Sequence, residues 1–305
     1  MTFKEVYAAW KAEKKTSIRP SSFSTYVILM EKHVLPLIAD KEPITEEDVN
    51  AVREAVLESG VSERTAHDAV NVLMSILRYA GQKKWWPMPT WTVSHEAKKE
   101  SEDFRLLSVE EQRAILDYIG NNRTPMNIGI YLALTTGVTV GELSNLTWQD
   151  MDLDARALHV RGLIARYYKI EEDVKVWSTD RDSGSSSRDI PLSEAHIAFL
   201  KGEEGNHLPE LFIMSNDSRP TDARVIRRAV SSIYAALGIK GVQYKDLRHS
   251  FAVRFLEAGG NYTTLAAVLG VGNISRLAAL YEKHIERNPR REMDSMMERM
   301  LGVTQ

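Results

Sequence analysis

The sequence predicts a mainly α fold in two parts: a helical bundle, then a larger helical domain carrying a few short strands. Three observations predict it. Apolar residues recur at helical spacing over residues 1–86. A stretch with two prolines, mixed charges and no periodicity follows at 87–104. Beyond it helices resume to about Leu146, after which the apolar period changes to that of strands. A length of 305 residues allows each part its own buried core.

Each element has a local reason. Phe3, Val6, Tyr7 and Trp10 share a helical face, and Pro20 interrupts before a second helix through Tyr26, Leu29, Met30 and His33. Pro36 is expected to end that helix. Thr45 ahead of Glu46, Glu47 and Asp48 is a capped, acid-rich helix start leading into Val49, Val52, Val56 and Leu57. Ser62 with Glu63 opens a long helix through Ala66, Val70, Leu73, Leu77 and Ala80, stopped at Gly81. Four amphipathic helices with short links make a small bundle over 1–86. Residues 87–104 read as the linker.

Ser108 followed by Glu111 is a capping box, so a second domain over 105–305 begins there. Leu158 and Val160 alternate, residues 174–179 are strand-like, and residues 188–192 form another extended run. Gly184 supplies a tight bend in the serine-rich tract before Arg188. Three short strands are expected. Residues 221–237 form a helix with Val225, Ile226, Ala229, Ile233 and Leu237 toward a core. Arg224, Arg227 and Arg228 share a face of it, which is either a plain solvated surface or a phosphate-contacting one. Met293, Met296, Met297, Met300 and Leu301 make an apolar stripe on a final helix, packed on its own domain or on a neighbouring copy.

Composition excludes some classes. With no cysteine there is no disulfide scaffold and no thiolate metal site. No apolar run approaches the roughly 20 residues needed to cross a bilayer. The N-terminus lacks the apolar stretch of a secretory signal. A soluble, cytoplasmic chain without a membrane partner is expected. The net charge of −3 neither selects nor excludes nucleic acid, because a phosphate feels the local face rather than the sum.

Three segments, in order, carry a resemblance. The first runs Thr135-Thr136-Gly137-Val138-Thr139-Val140-Gly141-Glu142-Leu143. The second is Lys245-Asp246-Leu247-Arg248-His249-Ser250-Phe251-Ala252. The third is Leu269-Gly270-Val271-Gly272-Asn273-Ile274, with Tyr281 beyond it and His284 just after. Together they resemble the tyrosine recombinases, the phage-integrase type of site-specific DNA recombinase. That family's boxes read T-G-L-R-x-x-E-L-x-x-L, H-x-L-R-H-[ST]-F-A, and L-G-H followed by the tyrosine. The helical bundle is similar to the family's SAM-like core-binding domain: Ser24-Thr25-Tyr26, Pro36, Ile44-Thr45 and Ser62-Glu63-Arg64-Thr65 fall in the expected order. The resemblance implies an α+β catalytic-type domain with a small antiparallel three-stranded sheet after that bundle. It also implies the two closing as a clamp on double-stranded DNA in the nucleoid.

The implied chemistry is a tyrosine oxygen attacking a DNA phosphodiester to give a 3′-phosphotyrosyl intermediate. Two arginines hold the nonbridging oxygens, and a hairpin lysine with histidines serves the leaving 5′-oxygen. No metal or cofactor is implied. Tyr281 matches the nucleophile, Arg248 the second arginine, Glu142 the first-box acid, and His249 the largely structural histidine. Three positions depart: Thr139 stands where the first arginine belongs, Lys245 for the second-box histidine, and Val271 for the third-box histidine. The hairpin lysine has no clear equivalent, with Lys175 and Arg181 as stand-ins.

Losing one such donor lowers the rate roughly 10²–10³-fold. The sequence therefore favours a DNA-binding recombinase fold impaired or inactive in cleavage, with Arg224, Arg227, Arg228, Lys245 and Arg248 on the DNA. The alternative is an active recombinase in which Arg161, Arg166 or Arg181 replaces the missing guanidinium. A third reading, of another class, is a helical protein-interaction module that no longer meets DNA. The resemblance also implies that the Met293–Leu301 stripe passes to a neighbouring protomer in a homo-oligomer on DNA.

Overall fold

The computed structural model describes residues 1–91, 104–169, 174–180, 187–203 and 205–285, together with Met293, Met297 and Met300. The chain divides into two compact units: Met1–Glu100 with Ala165–Ser178, and Ser101–Ile164 with Thr179–Gln305.

In the first unit, α1 (Phe3–Ser17) opens on a capping box between Thr2 and Glu5 and buries Phe3, Val6, Tyr7 and Trp10. The helix after Pro20 does not end at Pro36. α2 (Pro20–Leu29) passes through a π-helical turn, Met30–Val34, into α3 (Leu35–Ile38). Pro36 lies in the first turn of α3, directly after the π turn, whose wider helical path gives its ring room. Thr45 and Asp48 cap α4 (Glu46–Glu58), and the Ser62 side chain accepts from the Thr65 N–H to start α5 (Glu63–Gln82). α5 ends at Gln82, one residue past Gly81, which also allows a close approach, since a Cβ there would meet the Met88 Cα at 2.9 Å.

The second unit begins with α6 (Val109–Asn121), capped by the expected Ser108–Glu111 box. α7 (Pro125–Thr136) is buried nearly all round and ends on Gly137 at φ 70°, a left-handed value that favours glycine. The short α8 (Val140–Asn145) follows. Then come β1 (Met151–Asp152), β2 (Ala157–Val160), β3 (Leu163–Lys169), β4 (Val174–Asp180) and β5 (Arg188–Pro191), of which most of β3 and β4 falls in the first unit.

A three-stranded antiparallel sheet in the order β1-β2-β5 is present, with Leu158 opposite Ile190 and Val160 opposite Arg188. Its membership differs from the sequence expectation. The 174–180 strand pairs with β3 in a separate two-stranded sheet, and the third place is taken by β1. Two residues are too short to show any periodicity.

α9 (Glu194–Leu200), α10 (Ala223–Ala236), α11 (Tyr244–Glu257), α12 (Tyr262–Leu269) and α13 (Ile274–Tyr281) complete the unit. α10 buries Ile226, Val230, Ile233 and Tyr234, but Val225 is 48% exposed, against expectation. At three residues before Arg228 it falls on the arginine face. One core joins Ile115, Ile119, Ile128, Leu132, Leu143, Leu158, Ile190 and Val230; a second joins Phe104, Leu256, Leu265, Leu269, Leu277 and Tyr281. Met293, Met297 and Met300 are helical and exposed, while Met296 and Leu301 lie outside the described residues. Among the described residues no single helix is long and apolar enough to cross a membrane.

Candidate phosphate and tyrosine site

The site gathers where α8, α11, α12, α13 and β5 meet within the second unit. Thr139 is the N-cap of α8: its side chain accepts from the Glu142 N–H, and its own N–H donates to Glu142 Oε2 at 2.7 Å. A residue with an oxygen on Cβ suits that cap, so the threonine has a local folding role.

Glu142 is buried and would resist ionisation on that ground. Arg188 overrides the burial, with Nη1 donating to Oε1 at 2.6 Å and Nη2 to Oε2 at 3.3 Å. Together with the Thr139 N–H and the charge of Arg248, it holds the carboxyl below its ordinary range. Arg188 Nε donates to the Val268 carbonyl at 2.6 Å. Gly270, at φ 67°, ends α12 and leaves room for this side chain, since a Cβ there would meet Arg188 Nη1 at 2.9 Å.

Arg248 is anchored beside it, donating from Nη1 to the Gly137 carbonyl at 2.7 Å and from Nη2 to the Leu269 carbonyl at 2.9 Å. Burial and the charge of Arg188 push its pKa down, while Glu142 and the Tyr281 side chain pull the other way. A guanidinium keeps its charge under such a shift.

Tyr281, the last residue of α13, is 2% exposed. Its Oη lies 3.0 Å from His249 Nδ1. His249 stacks on Phe104 with ring centroids 4.0 Å apart, and Tyr281 meets the same ring edge-on at 5.9 Å. Burial first, then the charges of Lys245, Arg248 and His284, push His249 down to about 4. The imidazole is thus neutral at pH 7. Val271 is half-buried against this cluster and brings no proton donor.

Lys245 is exposed in the first turn of α11, and Arg224, Arg227 and Arg228 are exposed along α10. Arg161, a suggested substitute for the missing guanidinium, instead reaches Asp189 at 3.0 Å on the face of β5 opposite Arg188. Arg181 and the side chains of Arg166 and Lys175 lie outside what is described.

Sequence reasoning missed Arg188 and Phe104. Arg188 had a signal: it stands two residues before Ile190, which is buried, so strand alternation turns both to the same side. A buried arginine then needs a carboxylate, and Glu142 was already marked. Phe104 carried no signal, being the last residue of an aperiodic stretch.

A buried tyrosine on a histidine, next to an anchored arginine at the end of this helix set, defines the class as a tyrosine-recombinase-type catalytic domain. The model of the Phage integrase family matches residues 105–287, and that of the phage integrase N-terminal SAM-like domain matches residues 2–42. The chain belongs to the phage integrase family. It is 24% identical to a tyrosine recombinase XerC-like protein of Caldanaerobacter subterraneus subsp. tengcongensis over 220 residues, 66% of this chain and 56% of that protein. It is 21% identical to the integrase of Salmonella phage P22 over 251 residues, 78% of this chain and 59% of that protein. The chain thus spans less than two thirds of both relatives. The ICEBs1 integrase of Bacillus subtilis matches at 18% identity over 99% of this chain and 84% of its own length.

Among solved structures, the Tn1549 transposon integrase in complex with transposon right end DNA superposes with TM-score 0.73 at 17% identity, covering 99% of this chain and 100% of that one. A lambda integrase dimer bound to a COC′ core site gives TM-score 0.63 at 17% identity over 94% of this chain and 79% of that one.

Proposed function

We propose that this chain binds double-stranded DNA as a site-specific recombinase of its family and is impaired in strand cleavage. The observation that carries the reading is the juxtaposition of Arg248 with the Tyr281–His249 pair. In the proposed chemistry Tyr281 Oη would bond to phosphorus as the bond to the 5′-oxygen breaks. The tyrosyl proton has a neutral acceptor in His249 Nδ1, and Arg248 faces the nonbridging oxygens.

Impairment follows from the leaving group. Val271 replaces a histidine, the serine-rich tract before Arg188 lacks a lysine, and Lys245 donates to phosphate from an exposed position. Tyr281 must also leave a buried position, edge-on to Phe104, to attack. Residues 1–86 as a core-binding domain, 87–104 as linker and 105–305 as the catalytic-type domain belong to the same proposal, as does assembly on DNA through the C-terminal methionines. The relatives bound to DNA support the partner. An active enzyme with a rearranged site is the second reading, favoured by Arg188.

Affinity for duplex DNA measured against salt tests binding: phosphate contacts give a steep fall, and a protein-interaction module gives none. A nicked suicide substrate, which traps any tyrosyl-DNA adduct, tests cleavage. Little or no adduct is expected, with Tyr281→Phe binding the same DNA equally well. Rapid adduct formation that depends on Tyr281 would overturn the impaired reading.

A further inference from the structure

We propose that Arg188 supplies the second guanidinium of the phosphate site, from β5, in place of the arginine that position 139 lacks. The proposal deepens the recombinase reading of this site and rests on it.

The first argument is position. Glu142 Oε2 accepts from the Thr139 backbone N–H at 2.7 Å and from Arg188 Nη2 at 3.3 Å. One oxygen atom therefore ties the residue without a guanidinium to the guanidinium that β5 delivers.

Pairing with Arg248 is the second. The two arginines rest on consecutive carbonyls at the end of α12, Arg188 on Val268 and Arg248 on Leu269. The charge of Arg188 reaches Arg248, and both act on Glu142. Two guanidiniums around one carboxylate leave a net charge of about +1 in a partly desolvated place, where an anion is worth more than in water. Guanidinium donors suit the oxygens of a tetrahedral phosphoryl group.

Rigidity is the third. The Arg188 side chain is 9% exposed and that of Glu142 is 6% exposed. The pair lies just under the surface with the Arg188 guanidinium fixed by Glu142 and the Val268 carbonyl, and a fixed charge needs little reorganisation to stabilise charge that develops on a phosphate. The α12–α13 junction is shaped around it: Gly270 has no Cβ where Arg188 Nη1 would be struck.

A structural role makes a different forecast. If Arg188 merely neutralises Glu142, replacing both by neutral groups leaves the site's net charge, now that of Arg248 alone, unchanged. The double variant Glu142→Gln/Arg188→Gln separates the two. Orthovanadate, a tetrahedral phosphate analogue, is titrated into the full chain by calorimetry at low ionic strength. The unsubstituted protein is expected to bind it, and the double variant to bind about tenfold or more weakly, the loss of one charge-assisted donor. Arg248→Gln should weaken it comparably, whereas Arg161→Gln, on the other face of the sheet, should not.

Thr139→Arg/Arg188→Gln should recover most of the affinity, because the guanidinium returns from the neighbouring position with Glu142 still paired. A folded double variant with unchanged affinity, or no vanadate binding by the unsubstituted chain, overturns the assignment. Should the double variant not fold, Arg188→Lys keeps the charge and loses the fork. A severalfold weaker vanadate affinity supports the proposal, and an unchanged one rejects it. Duplex-DNA affinity measured in parallel keeps the two readings apart. Absent DNA binding with an Arg188-dependent vanadate site sinks only the recombinase reading; salt-dependent DNA binding with an Arg188-independent vanadate site sinks only this one.

Discussion

At the scale of single residues, His249 links the nucleophile to pH. Its imidazole is held near about 4 against an ordinary 6.5, chiefly by burial. A group whose folded pKa is depressed contributes stability that is fully present above 6.5 and is lost as pH falls through 4. The shift corresponds to on the order of 3 kcal/mol across that window. Urea unfolding at pH 7 and at pH 4.5 should therefore show a marked loss of stability. His249→Phe keeps a ring stacked on Phe104 but removes the titration, so its stability should change much less between the two pH values. An equal loss in both proteins would mean that other groups carry the acid sensitivity. The residues of this site were unevenly legible in the sequence. Tyr281, Arg248, His249 and Glu142 could be read from ordered boxes. Arg188 had only a partial signal: alternation with Ile190 turns it inward, but its pairing with Glu142 depends on β5 crossing to α8, which no box spacing encodes.

Elements were legible where their signals are local. The Ser62, Thr45 and Ser108 starts all form the expected side-chain caps, because a cap needs only the next three residues. The continuation through Pro36 and the exchange of strand partners escaped, since both depend on packing across the chain. Thr139 shows a residue serving its element: as a threonine it caps α8, a contribution of about 1 kcal/mol, whatever it withholds from a phosphate. α10 carries the element-scale prediction. Its apolar face is buried and Arg224, Arg227 and Arg228 are exposed, so single alanine substitutions should move stability by no more than about 0.5 kcal/mol. Each that contacts DNA backbone should weaken binding to all sequences and flatten the salt slope by about one. Unchanged slopes in all three variants would leave this face merely solvated.

At the scale of the whole molecule, the apolar surface near the C-terminus bears on assembly. Met293, Met297 and Met300 are 56%, 41% and 71% exposed and fall at helical spacing, so they present one apolar stripe to solvent. Methionine is flexible and polarizable, which suits a surface that is buried only when a second copy arrives. We propose that a neighbouring protomer on DNA covers this stripe. Because the three side chains are exposed, replacing them together by glutamine should leave the unfolding of the isolated chain within about 0.5 kcal/mol of the original. The mass of the protein–DNA complex, measured by sedimentation, should fall toward one protomer per site. Binding of a single protomer should persist, since Arg248, Lys245 and the α10 arginines are untouched. Complexes of unchanged mass from the glutamine variant would place the assembly surface elsewhere. Loss of folding in the free chain would show that the stripe packs on its own unit instead.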